Sequence, residues 1–221
     1  MFKVLIKNEE GLRMISQSEV NNALLGMINH TKEMLEMLDK GFKKHNPEFL
    51  EKVKDLETTL YKDSENLFSS LLDEKDAKNI RYYFPVPEHF NRIGNGLNKM
   101  FNSINKKVTD DILFSDKSVN EANKLFSQLQ ELLNGLGNCI NKCTKALADN
   151  ICSGVKELCE LADEYAIFHE ERLISGVCTP KNAPIYLDIL ESFKSIAWHV
   201  GEISRNITQD SGIDKKHSID K

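Results

Sequence analysis

Apolar residues recur at steps of three and four along most of this chain. Val20, Leu24, Met27, Ile28, Met34, Leu35, Leu38 and Phe42 share one helical face at that spacing, which predicts a first helix over 17–45. Asn46-Pro47-Glu48 then offers a capping oxygen, a proline already suited to a first turn and an acid facing the positive helix end. A second helix is expected from there to about Leu72, with Phe49, Val53, Leu56, Leu60, Leu67 and Leu71 as its stripe and the polar run Asp73-Glu74-Lys75-Asp76 as the turn after it. The third segment, 77–107, contains Pro85-Val86-Pro87. Two prolines remove donors and disfavour helix just before them, so a break or kink is predicted there. Beyond it Phe90, Ile93, Leu97, Met100, Phe101 and Ile104 restore the helical period.

The plan then repeats. Ser118 is the expected cap of helix four, whose stripe runs from Val119, Ala122 and Leu125 through Leu129, Leu132, Leu133 and Leu136 to Ile140 and Ala146. Gly135 and Gly137 weaken it locally. Asn150 is the expected cap of helix five, with Ile151, Val155, Leu158, Ala162, Tyr165, Ile167, Phe168 and Leu173 leading to Gly176. Helix six comes after Pro180–Pro184 with Ile185, Ile189, Phe193, Ile196, Ala197, Val200 and Ile203. Each stripe must be buried on its neighbours, so the expected fold is all-α: two tandem antiparallel three-helix bundles, six long helices in all. The expected divisions are a leader 1–16, a first half 17–110, a second half 111–207 and a polar, loose tail 208–221. Arg92–Leu97 laid over Ser195–Val200 is a weak trace of duplication between the halves.

Composition narrows the function classes. A net charge of −5, with lysines scattered among acids, argues against nucleic acid as a partner. No run of about 18 apolar residues is present to span a bilayer, and Met1–Lys7 is too short for a signal-peptide core, so a cytoplasmic protein is expected. Five cysteines are an odd count lying mostly in helical stretches, which makes buried thiols the expectation rather than disulfides. No G-x-S-x-G, Gly-rich phosphate loop or H-E-x-x-H occurs, so the chain is not expected to be an enzyme.

From 169 to 207 one order of residues stands out. His169, Arg172-Leu173, Gly176, Cys178, Tyr186-Leu187-Asp188-Ile189-Leu190, Ile196, His199 and Ile203 are similar to the run H-x-x-R-L-x-x-G-x-C, aromatic-x-D-x-L and I-x-D-H-x-x-N-I of the PhoU family. Phe90-Asn91-Arg92-Ile93-Gly94-Asn95 is similar to that family's L-E-R-I-G-D. Over 17–207 the chain therefore resembles PhoU proteins, most closely the PhoU-like domains that accompany sodium/phosphate cotransporters. The resemblance implies a regulatory or adaptor protein of phosphate transport or phosphate signalling. It would act by contact with a transporter at the membrane or with a sensor kinase, without catalysis, and as a homodimer.

The resemblance also implies E-x-x-x-D pairs that bind iron, zinc or another divalent ion. Here the first pair reads Asn91 and Asn95 and the second Lys194 and Trp198, so the usual multinuclear cluster loses its charges. Other carboxylates could serve instead: Asp55, Glu57, Asp63 and Glu65 on helix two, or Glu157, Glu160, Asp163, Glu164, Glu170 and Glu171 on helix five. Glu160 and Glu164 are the best one-turn pair, although such runs are commonly solvated faces. Cys139 and Cys143 share a helical face but lack zinc-knuckle spacing, so packing is their expected role. His169 and His199 admit a histidine-phosphotransfer reading beside a packing one. Trp198, the single tryptophan, either fills the place of a metal, anchors a partner or is an ordinary core indole.

Overall fold

The computed structural model describes residues 15–72, 81–142 and 144–210. The leader before 15, the tail after 210 and Cys143 lie outside the described residues. Helix α1 spans Gln17–Lys44 and starts on a capping box in which Ser16 and Glu19 satisfy each other's backbone N–H. Lys107 closes the other end of α1, donating from Nζ to the Phe42 carbonyl at 3.2 Å and to His45 Nδ1 at 2.9 Å.

Asn46 does cap the next turn, accepting from the Glu48 N–H, but that turn is a 3₁₀ helix, Pro47–Leu50, and α2 (Val53–Leu72) begins only after it. The tighter turn seats buried Leu50 on Gly41, where an added Cβ would lie 2.6 Å from Leu50 Cδ2. The proline pair marks a start rather than a kink. Helix α3 is Val86–Thr109, with Pro85 at its cap position and Pro87 in the first turn, where a missing N–H costs nothing.

Two predicted caps are displaced. Helix α4 (Asp116–Asn141) is capped by Ser115, which accepts from the Ser118 N–H at 3.3 Å; Ser118 itself is buried and turned inward. Helix α5 (Lys145–Ile174) is capped by Thr144, which accepts from the Leu147 N–H at 3.2 Å. Ala146 therefore belongs to α5, and Asn150 lies within that helix, exposed. The apolar period continues across Asn141–Lys145, so spacing alone did not reveal the break, whereas a threonine oxygen in extended backbone did the capping. Helix α5 stops at Gly176, whose φ of +73° only glycine adopts without strain. Ile167, assigned to its buried stripe, is 56% exposed. Helix α6 is Ala183–Asp210, so Thr208 belongs to it rather than to a loose tail: it is buried and donates to the Ser204 carbonyl.

Within each triplet every helix packs on the other two, and the triplets meet along α3–α6 and α1–α4. Helices α2 and α5 therefore lie outermost, and the stripes of all six helices join in one apolar cluster. The architecture is all-α, with no strand among the described residues. Helices α3 and α6 run antiparallel, placing His89 beside His199, Gly96 beside Ile196 and Lys99 beside Asp188.

Their closeness depends on Gly96, where a Cβ would sit 2.7 Å from Cγ1 of fully buried Ile196. Gly96→Val is expected to cost about 1–3 kcal/mol through overpacking. Urea denaturation measures this, and Ile196→Ala in the same chain should recover part of the loss.

Candidate functional site

The positions at which the resemblance implies metal ligands fall on two seams. Asn91 and Asn95 stand one turn apart on α3, facing α2: Asn95 Oδ1 accepts from the Tyr61 hydroxyl at 2.6 Å, while Asn91 Oδ1 is shielded from solvent with no hydrogen bond. On the α5–α6 seam Lys194 Nζ is clasped by Asp163 at 2.8 Å and Glu191 at 3.1 Å. The hydrogen bond to Asp163 is the chief reason its ammonium is held more firmly than usual. Trp198, one turn further along α6, is 49% exposed.

These residues do not fit a metal cluster. The oxygen of Asn95 is already committed, a lysine cation repels an ion, and an indole N–H is a donor only. The substitute carboxylates do not converge either. Glu160 is exposed and pairs only loosely with Lys156, at 3.6 Å, and Glu164 is exposed beside it. Asp63 meets His30 at 3.3 Å on another seam. Among the described residues no three His, Cys, Asp or Glu side chains gather around a common point. Cys139 and Cys178 are buried thiols, while Cys152 and Cys159 are half-buried.

Trp198 is neither a core indole nor a plug in a vacated metal site. Its position on α6 turns it to solvent, one residue past fully buried Ala197. The ring stands edge-on to His199, with centroids 4.7 Å apart, and to His89 of α3 at 6.1 Å. Beneath it the two histidines meet Nδ1 to Nδ1 at 3.0 Å. Burial, reinforced by the neighbouring His89 and Arg92, pushes the His199 imidazole down to about 4, and burial also lowers that of His89. Both rings are neutral near pH 7, so one donates and the other accepts. Around this group Arg92 pairs with Glu88 at 2.7 Å and Arg205 pairs with Glu202. The result is an exposed aromatic resting on a neutral histidine pair within a rim of exposed charges.

His169 and Arg172 lie elsewhere, on the buried side of α5. Arg172 grips Glu121 of α4 with both arms, at 2.8 and 2.7 Å, and reaches Ser118 at 3.2 Å. Tyr186 of α6 donates to the same Glu121 carboxylate at 2.6 Å. His169 is fully buried, its ring tilted at 36° against Tyr186 with centroids 4.7 Å apart, and burial lowers its affinity for a proton. A phosphoryl donor cannot reach that ring in the folded chain, so His169 packs rather than carries phosphate. Asp188 meets Lys99 of α3 at 3.1 Å, a half-exposed ion pair between α6 and α3.

Sequence reasoning named Arg172, Tyr186 and His199 but not their partners Glu121 and His89. Glu121 had a signal, since it lies one residue before Ala122 in an otherwise apolar stripe. His89 had none, because pairing across two helices leaves no mark on either period.

No model of a protein family matches this chain, and no curated protein is similar to it. Among solved structures it is similar to PhoU from Pseudomonas aeruginosa, with a TM-score of 0.77 and 12% identity over 88% of this chain and 96% of that one. At that identity the likeness shows the fold: the chain is an all-α, PhoU-like helical protein. No described helix is long and apolar enough to cross a membrane.

Proposed function

We propose that this chain is a cytoplasmic, non-enzymatic PhoU-like adaptor that regulates phosphate transport or phosphate signalling through protein contact. The observation that carries the reading is Trp198. Where the family resemblance implies a charged metal ligand, this chain presents a half-exposed indole supported by two neutral histidines. Large aromatics with rigid support and a polar rim are the commonest anchors of protein interfaces. The PhoU-like fold and the motif resemblance supply the process, and the partner class is a phosphate transporter, of the sodium/phosphate cotransporter kind, or a sensor kinase. The same resemblance makes a homodimer the expected state in solution.

Removing the gene from its host should change the rate of phosphate uptake or the set-point of the phosphate-starvation response. Trp198→Ala should reproduce that change while leaving folding stability within about 0.5 kcal/mol, since the side chain is half exposed. It should weaken binding to the partner's cytoplasmic portion by about 2 kcal/mol or more. Unaltered uptake and response after gene removal would refute the process; normal partner binding by Trp198→Ala would refute the contact face.

A further inference from the structure

We infer that a cavity of about 220 Å³ on the α3–α6 seam is a binding site for inorganic phosphate, held as its proton-bearing ion by two lysines, a serine and an aspartate. Lys99, Asn102, Ser103 and Lys106 line it from one face of α3, and Pro184, Ile185 and Asp188 line it from the first two turns of α6. The site shares no residue with positions 91, 95, 194 and 198 or with the rim of Trp198, and it does not depend on the adaptor reading. A phosphate held there bridges α3 and α6, along which the two triplets meet.

The lining supplies donors that no protein group uses. Ser103 is 8% exposed, and its hydroxyl has no hydrogen-bond partner among the described residues. Other buried helical hydroxyls in this chain turn back onto their own backbone, as Ser192 does onto the Asp188 carbonyl at 2.7 Å; Ser103 does not. Lys106 is exposed and joins no ion pair among the described residues. Lys99 gives one of its three N–H donors to Asp188 at 3.1 Å and keeps the others. Helix α6, 28 residues long, brings its N-terminus to the cavity with no acid in the first turn, and the Ile185 N–H takes no backbone acceptor. There is room for a tetrahedral oxyanion and a few waters, at roughly 30 Å³ for each water. Asp188 sets the choice among oxyanions. It repels an ion without a proton, whereas HPO₄²⁻ donates its O–H to the carboxylate while its other oxygens accept from the lysines, Ser103 and α6. Sulfate carries no proton near neutral pH, and a phosphate monoester, whose second pKa is about 6, is largely without one. Inorganic phosphate keeps one.

The experiment titrates the full-length chain, purified without phosphate or sulfate, with sodium phosphate, sodium sulfate and glycerol 3-phosphate by calorimetry at about pH 7.5. The expected result is one phosphate per chain, with sulfate and the ester each binding about tenfold more weakly or worse. Lys106→Gln and Ser103→Ala should each weaken phosphate binding by about tenfold, and Lys124→Gln on α4 should leave it unchanged. Asp188→Asn should remove the preference for phosphate over sulfate. In the wild-type chain phosphate should also slow acetylation of Lys99 and Lys106, read peptide by peptide by mass spectrometry, which keeps the test open if a variant misfolds. Absence of one-to-one binding, binding unaltered by both the Lys106 and Ser103 variants, protection confined to other lysines, or sulfate or ester binding as tight as phosphate would overturn the site. Because no readout involves phosphate uptake or a protein partner, failure here is separate from failure of the adaptor reading.

Discussion

Arg172→Met is expected to lower folding stability by about 3–5 kcal/mol, measured by urea denaturation, because it leaves the Glu121 carboxylate buried without its counter-charge. Glu121 is 5% exposed and Arg172 8% exposed, so water cannot take the place of the lost guanidinium. Burial on its own would loosen the Arg172 proton, and the hydrogen bonds and charge of Glu121 more than reverse that, so the guanidinium keeps its charge. The Tyr186 hydroxyl depends on the same carboxylate, and burial with that hydrogen bond holds its proton far more firmly than usual. One substitution therefore disturbs α4, α5 and α6 together. Adding Glu121→Met should recover a large part of the loss, since an apolar pair of similar volume replaces two charges instead of stranding one. A loss below about 1 kcal/mol would mean that solvent enters this network and that the clamp is not what holds the second triplet.

The second large effect is expected at Phe193. Its fully buried ring stands edge-on to Phe126 of α4, with centroids 4.8 Å apart at 84°, and Phe126 in turn leans on Phe42 of α1 at 6.0 Å. This aromatic line crosses from α6 through α4 to α1 and so ties one triplet to the other. Phe193→Ala removes the transfer energy of the ring and opens a cavity that three straight helices cannot close, at a cost of about 3–5 kcal/mol. The edge-to-face contact contributes about 1 kcal/mol of that, and a Phe193/Phe126 double-mutant cycle isolates it. Phe193→Leu, which keeps most of the volume, should cost less than half as much. Equal losses for alanine and leucine would show that shape, not volume, governs this part of the core.

Taken together, the two sites explain how a chain with two different sets of residues at its seams keeps one fold. Packing and a buried ion pair do the structural work inside. Asn95 and Trp198 sit on the exposed faces of α3 and α6, outside that core. The charged groups there are either matched within their own seam, as in Lys194 with Asp163, or form a rim around the indole.

Much of this could be read along the chain. Six amphipathic stripes, Gly176 as a stop and Asn46 as a cap all come from local rules, because apolar spacing and backbone capping involve residues within a few positions of each other. Where local rules competed, they misplaced boundaries by several residues. Ser115 and Thr144 did the capping assigned to Ser118 and Asn150, since any nearby hydroxyl in extended backbone can serve and the apolar period ran on through the turn.

What the chain determined by itself is the helical class, the number of long helices and the residues that had to be buried, because a single face of period 3.6 admits few other solutions. Tertiary structure alone decided which helices touch, and with that the site. The antiparallel meeting of α3 and α6 set His89 against His199, 110 positions away, and turned Trp198 outward. The packing of α4, α5 and α6 on one another likewise brought Glu121 and Tyr186 to Arg172 from 51 and 14 residues' distance along the chain. Pairing between distant side chains depends on register and crossing between helices, and those are settled by close packing at points such as Gly96, not by the period of either helix.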